Sequence, residues 1–186
     1  MILYHIDHSE SLHKGQRLYA NWPHPTKPGL LLSRYGSWIL SVEDSNSRIF
    51  QTDTRSHLYH NYNIEFLAEK VRVKHFPHLP SRLNSLFAVQ SIDDSVRWNQ
   101  RLGFDKPIRI CEIEYNDVIF EFDSRLLDGM ILNVGRLLTE TSVFTQYEID
   151  AEKQLIDYWS GKRTENALNE ILVPFPVTIS KCYSIT

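Results

Sequence analysis

The chain opens with MILYHIDHSE, which sets His5 beside Tyr4 in a short apolar segment, with Asp7 and His8 directly behind it. An imidazole so placed is either a half-buried side chain satisfied by the backbone or one member of a site completed elsewhere. Histidines recur three residues apart as His5/His8, His57/His60 and His75/His78. On a helix that spacing puts both rings on one face, where zinc could be held. There is no H-E-x-x-H, however, and His5 and His8 on one strand would face opposite ways, so no metal is assigned. Nucleophilic catalysis has no foothold either. There is no G-x-S-x-G elbow, and Cys111 and Cys182 lie far apart without metal spacing, as expected of buried, reduced thiols. Glycine-rich phosphate loops are absent, which removes Rossmann and P-loop readings. Among the carboxylates, Glu170 stands where a polar segment gives way to ILVPFPV. Alone it reads as a solvated strand-start residue; with His5 it completes a pair drawn from the two ends of the chain.

Local patterns say which elements would position these groups. ILYHI reads as a strand and SESLHKGQRL as a short helical turn stopped at Gly15, ahead of the proline-bearing loop NWPHPTKPG. SWILSV fits a strand or a helix, and EDSNSRIFQTDTRS a surface loop. NYNIEFLAEKVRVKH puts Ile64, Leu67 and Val71 at helical spacing, and the prolines beyond end that helix. LNSLFAVQS suits a buried strand; Ser91 caps the next helix, with Asp94 at its third position and Gly103 at its end. PIRICEIEY, the turn-forming ND and VIFEFDS predict a strand-turn-strand unit. DAEKQLIDYWSG predicts a helix capped by Asp150 and stopped at Gly161. In NEILVPFPVTISKCYSI, Pro174 and Pro176 place a final strand at a sheet edge or on a bulge. Helices early and strands late predict an α+β fold with a mostly antiparallel sheet core.

Composition bounds the possibilities. A chain of 186 residues with 42% hydrophobic and 23% charged side chains fits one domain spanning 1–186. Its net charge of -3 argues against broad polyanion binding while leaving room for a local basic groove. No stretch has the length of a membrane span or the pattern of a signal peptide, which predicts a cytoplasmic protein without membrane partners.

LYHID at the start, SRLNSLFA in the middle and the glutamate entering EILVPFPV near the end together resemble the ADP-ribosyltransferase superfamily. PSR with SLFA, then YW before a glycine, then the glutamate segment further resembles an uncharacterised family grouped with those enzymes. The resemblance implies their fold, with His5 on a first strand after Tyr4, Ser85 (or Ser81) on a second, and Glu170 at the head of a late strand. It also implies NAD as substrate. Losing nicotinamide leaves a ribose that resembles an oxocarbenium ion, and a negative charge beside that sugar stabilises it. On this basis Glu170 is the expected catalytic residue. His5 would orient the dinucleotide and Ser85 would brace Glu170 or the nicotinamide end; Tyr4, Tyr62, Phe87, Tyr158 and Trp159 could stack on nicotinamide or on a target base, with core packing the plain alternative for most of them. Arg82 would hold a phosphate, although an arginine after a Pro-Ser turn is more often a surface residue or a salt-bridge partner.

Relatives that modify protein arginine or asparagine carry Glu or Gln two residues before the catalytic glutamate; Leu168 stands there instead. A nucleobase is then the expected acceptor, on unpaired RNA or DNA where the base is accessible. Lys70, Arg72 and Lys74 could track a single strand, and Arg97 with Arg101 forms a second cluster; solvated helix faces are the plain alternative for each. The resemblance further implies a toxin of a toxin-antitoxin or phage-defence system, and hence a protein antitoxin. A protein acceptor, hydrolysis of NAD by water, and a non-catalytic binding domain on the same fold stand as alternatives.

Overall fold

The structure, a computed structural model, describes residues 1–23, 31–44, 53–103, 108–128 and 144–185. It is a mixed α+β fold with antiparallel sheets. The strands are β1 (Ile2–Ile6), β2 (Arg17–Leu18), β3 (Trp22–Pro23), β4 (Leu31–Leu32), β5 (Ser85–Ala88), β6 (Ile108–Glu114), β7 (Glu121–Asp123), β8 (Asn169–Pro174) and β9 (Val177–Ile185). Among the described residues, helices include α1 (Arg34–Asp44), α2 (Asp53–His75), α3 (Ile92–Arg101) and α4 (Phe144–Trp159), residues 125–128 are also helical, and a 3-10 turn lies at Arg82–Asn84. One sheet has the order β1-β6-β9-β2 and a second the order β5-β8-β7. They are stitched where Tyr4 and Val89 exchange backbone hydrogen bonds of 2.9 Å in both directions, so β1 and β5 meet at the seam.

The period of two along each strand sorts the cores. Ile171 and Val173 of β8 join Leu3, Ala88, Cys111, Ile113, Val177 and Ile179 between the two sheets. Leu172, one residue out of phase, joins Phe122 on the opposite face, under Ile64, Ala68 and Val71 of α2 and Leu155, Tyr158 and Trp159 of α4. Strand β8 is thus buried on both faces, and Glu170 shares the helix-side face with Leu172.

Several local expectations give way to tertiary pairing. SESLHKGQRL is turns followed by β2, with no helix, although Gly15 does adopt a left-handed φ of 82°. SWILSV is helical within α1, and α2 begins ahead of the periodic segment; of the expected surface loop, 45–52 lies outside the described residues. The run around ND does not form a hairpin: β6 pairs with β1 and β9, whereas β7 pairs with β8 in the other sheet. Helix α4 starts at Phe144, so Asp150 lies within it instead of capping it. Helices are not confined to the early part, since four strands precede α1 and α4 comes late. The C-terminal run divides into β8 and β9, each interior to its sheet, so Pro174 ends an inner strand and Pro176 lies in the connection, and neither marks an edge strand. The cysteines are not free thiols: the β6–β9 register sets Cys111 opposite Cys182, with Cα atoms 4.2 Å apart, and they form a disulfide. Sequence spacing of 71 residues conceals that adjacency.

Candidate functional site

Between the seam of the two sheets and α1 lies a cavity of about 850 Å³, the size of a small-molecule or cofactor site. Tyr4, His5, Arg82, Ser85 and Glu170 all border it, so the two ends of the chain and its centre converge on one space. Trp98 of α3 also borders it and donates its indole N–H to the Asn169 carbonyl at 2.8 Å, tying α3 to the start of β8.

The floor is a buried ionic cluster. Arg82 and Glu170 are 7% and 3% exposed, and Glu65 of α2 is equally enclosed. Arg82 grips Glu65 in a two-pronged pair, Nε to Oε2 and Nη2 to Oε1, each 2.8 Å. Its remaining terminal nitrogen, Nη1, donates to the Tyr158 hydroxyl at 2.6 Å and to Glu170 Oε1. The Tyr158 hydroxyl in turn donates to the same Glu170 oxygen at 2.6 Å, and the Tyr35 hydroxyl of α1 donates to Glu65 at 2.9 Å. The guanidinium also lies over Phe87, 4.9 Å from the ring centroid.

Charge is unbalanced here: two carboxylates face one guanidinium. Burial disfavours the cation, but the charges of Glu170 and Glu65 outweigh it and push Arg82 well above its usual value, so it stays protonated. Burial raises the Tyr158 and Tyr35 hydroxyls well above their ordinary range, for Tyr35 with help from the charge of Glu65, so both remain neutral donors. Two carboxyl groups and one guanidinium therefore meet at the floor of a cavity bordered by several aromatic rings.

His5 reaches the same space from β1. Its Nδ1 lies 2.8 Å from the Phe87 carbonyl on β5. Burial lowers its pKa despite that bond and the nearby charge of Asp7, so the ring is neutral at pH 7. A carbonyl only accepts, so the proton is on Nδ1 and Nε2 keeps a lone pair. Asp7 is itself buried, which opposes its ionisation, but the Leu12 N–H, the Ser9 hydroxyl and the Ser11 backbone outweigh this and lower its pKa.

Ser85 has a role other than the one expected, and Arg82 takes the salt-bridge alternative to a phosphate ligand. The Ser85 hydroxyl donates to the Ser81 carbonyl at 2.7 Å, so the brace on Glu170 comes from Arg82 and Tyr158. Arg82 is neither on the surface nor turned toward a phosphate, because three of its nitrogens are engaged by Glu65, Tyr158 and Glu170. The basic segment of α2 does not border the cavity. Arg72 is bound to Glu69 and to the Leu79 carbonyl, Lys74 pairs with Glu152, and Lys70 is exposed. Arg97 contacts Asp94 and the Ala167 carbonyl, and Arg101 pairs with Asp128. His8 borders the cavity from a turn beyond β1, His75 contacts Glu152, and the side chains of His57, His60 and Tyr62 lie outside the described residues. Among the described residues, no group of three or more His, Cys, Asp or Glu side chains is placed to hold a metal, and no helix is long and apolar enough to cross a membrane.

Sequence reasoning missed Glu65 and Tyr35 as members of the floor, and Tyr158, read as a stacking or core ring, acts there through its hydroxyl. Glu65 did leave a trace, being an acid next to Ile64 on the buried stripe continued by Ala68 and Val71. Two further anchors position the site. Asp123 accepts from the N–H and hydroxyl of Thr164 and from the N–H of Leu168, fixing the segment that leads into Glu170. Ser33 Oγ accepts from the Gly36 N–H and donates to the Leu83 carbonyl, docking the start of α1 on the Arg82 turn. The approach there is so close that a Cβ on Gly36 would fall 2.1 Å from that carbonyl oxygen.

The family model described as protein of unknown function (DUF2441) matches residues 29–184, and the chain belongs to that family. The matched span takes in Arg82, Ser85 and Glu170 and begins after β1, which carries His5. No curated protein matches the sequence.

Proposed function

We propose that this member of the DUF2441 family is an NAD-dependent mono-ADP-ribosyltransferase that modifies a base of RNA or DNA, acting as a toxin held in check by a protein antitoxin. One observation carries this reading: His5 from the first strand and Glu170 from the eighth border the same cavity, in the chain order and on the element types of the enzymes the sequence resembles. The residues suit the dinucleotide. The volume and the aromatic rings along the lining accommodate planar rings, and the floor presents the Glu170 carboxyl group where positive charge would develop.

In the reaction, the bond between ribose C1′ and the nicotinamide nitrogen breaks, its electron pair leaving with neutral nicotinamide. A nitrogen lone pair of the acceptor base forms the new bond to C1′ and the proton of that nitrogen is lost to water. Glu170 stabilises the positive charge spread over C1′ and the ring oxygen. Arg82 and Tyr158 hold the carboxylate through Oε1, which fixes the direction of Oε2. Neutral His5 accepts a ribose hydroxyl at Nε2 while Nδ1–H stays on the Phe87 carbonyl, so the dinucleotide is oriented from the seam of the two sheets.

The test is incubation with labelled NAD and, separately, RNA, DNA and cell protein. Label is expected in a nucleic acid, with stoichiometric release of nicotinamide. Glu170→Gln retains an acceptor for Arg82 and Tyr158 and leaves Arg82 balanced by Glu65, so the fold should persist while the rate drops about 10²- to 10³-fold. Wild-type turnover in that variant, or wild-type protein that leaves NAD intact with every acceptor supplied, refutes the proposal.

A further inference from the structure

Above the saturated floor, the mouth of the cavity is built differently. Tyr19 follows β2, Trp22 lies in β3 and Trp38 in α1; they are 52%, 46% and 46% exposed, and all three border the opening. Rings of this size left in water at one place need an explanation, since a monomer's large aromatics are ordinarily covered. Arg17 and Arg34 border the same opening and are exposed. The acids bordering it, Asp7 and Glu170, are buried and engaged within the protein. Among the described residues, the exposed charge at the mouth is therefore cationic, although the chain as a whole is acidic.

We propose that this mouth is a platform for single-stranded nucleic acid, with Tyr19, Trp22 and Trp38 stacking bases and Arg17 and Arg34 holding phosphates. Aromatic rings interleaved with guanidinium groups around a concave opening match the chemistry of a strand whose bases and phosphates alternate. Arg17 already lies over Tyr19, 5.3 Å from the ring centroid, which keeps its planar group at the level where a stacked base would bring its phosphate. A duplex hides its base faces and cannot stack on the rings. The net charge of -3 confines attraction to the mouth, so the salt dependence is shallow, with a slope of about -1.4 for two phosphate contacts. Resting on the reading of the floor as a site of ADP-ribosyl transfer, the platform sets a base of the strand over Glu170 and names the acceptor's footprint. It also moves that footprint away from Lys70, Arg72 and Lys74.

Fluorescence anisotropy of short labelled oligouridine and oligothymidine with the full chain, without NAD, tests this. One or both strands should bind better than a duplex, and the pair tells RNA from DNA. Trp22→Ala and Trp38→Ala should each weaken binding about 5-fold or more. Arg34→Glu, an exposed change that leaves packing alone, should weaken it and reduce the salt slope by about 0.7 or more. Lys74→Ala should have no effect. Wild-type affinity in the Arg34 and tryptophan variants, a larger effect at Lys74 than at the mouth, preference for duplex, or no binding to either strand overturns the proposal. With NAD left out, the outcomes separate cleanly. A chain that binds strands but never cleaves NAD refutes only the transferase reading, and one that cleaves NAD but ignores strands refutes only the platform.

Discussion

The floor and the mouth of the cavity are built on opposite principles. At the floor, Arg82, Glu65, Glu170, Tyr158 and Tyr35 are locked by hydrogen bonds out of bulk water, and each group is specified by the others. At the mouth, Trp22, Trp38 and Arg34 stand in solvent. Preorganisation is worth most where charge must be stabilised in a dry setting, because a fixed ion there needs no rearrangement as the reaction proceeds. Adaptability is worth most where a long, variable ligand lands. The contrast implies that changes at the floor are felt in stability and rate together, whereas changes at the mouth are felt in binding alone.

The sharpest way to break the comparison is Arg82→Met. It leaves two buried carboxylates facing each other without a cation and should cost about 3–5 kcal/mol in urea unfolding. Tyr158→Phe keeps the ring packed on Phe122 and Trp159 but deletes one hydroxyl that joins Arg82 to Glu170. A loss of about 1.5–3 kcal/mol is expected there, with a fall in kcat larger than any change in KM. His5 gives a smaller, pH-dependent effect. Its folded pKa lies below the ordinary 6.5, so both states are neutral above that value, and as the pH falls through it the unfolded chain takes up a proton that the folded chain resists. Stability should therefore decline on acidification until the folded pKa is passed. His5→Gln should show a flatter curve over that window, with a residual slope from His8, whose pKa burial also lowers. At the far end of the scale, Arg34→Ala should move the unfolding free energy by no more than about 0.5 kcal/mol. A floor variant with unchanged stability, or a mouth variant that unfolds the chain, would erase the distinction.

How far the sequence foretold this architecture depends on the range of the interactions. Helix α3 with its Ser91 cap, the end of α2 at His75, the strand at Ser85–Ala88 and the glycine stops at 103 and 161 follow from neighbours within a few residues, and they were legible. Pairing between distant segments was not. β6 and β7 look like a hairpin because each alternates beside a polar turn, yet nothing local says that their partners lie in different sheets. Cys111 and Cys182 likewise become neighbours only through the register of β6 and β9. The candidate site shows the same division. His5 stood out as a polar group on an apolar strand, and Glu170 through the resemblance to the transferases. Arg82 looked like a turn residue because its partners are 17, 76 and 88 positions away. Glu170 alone read as a solvated carboxylate because the burial of β8 on both faces, which demands a partner, comes only from the pairing of β8 with β5 and β7.

Gly36 lies where the helix at the mouth touches the turn that carries Arg82. The helix that presents Arg34 and Trp38 rests on the carbonyl of Leu83 with no space for even a methyl group between them, and Leu83 is the next residue after Arg82. A side chain at position 36 would therefore push α1, with Arg34 and Trp38, off the turn that carries Arg82.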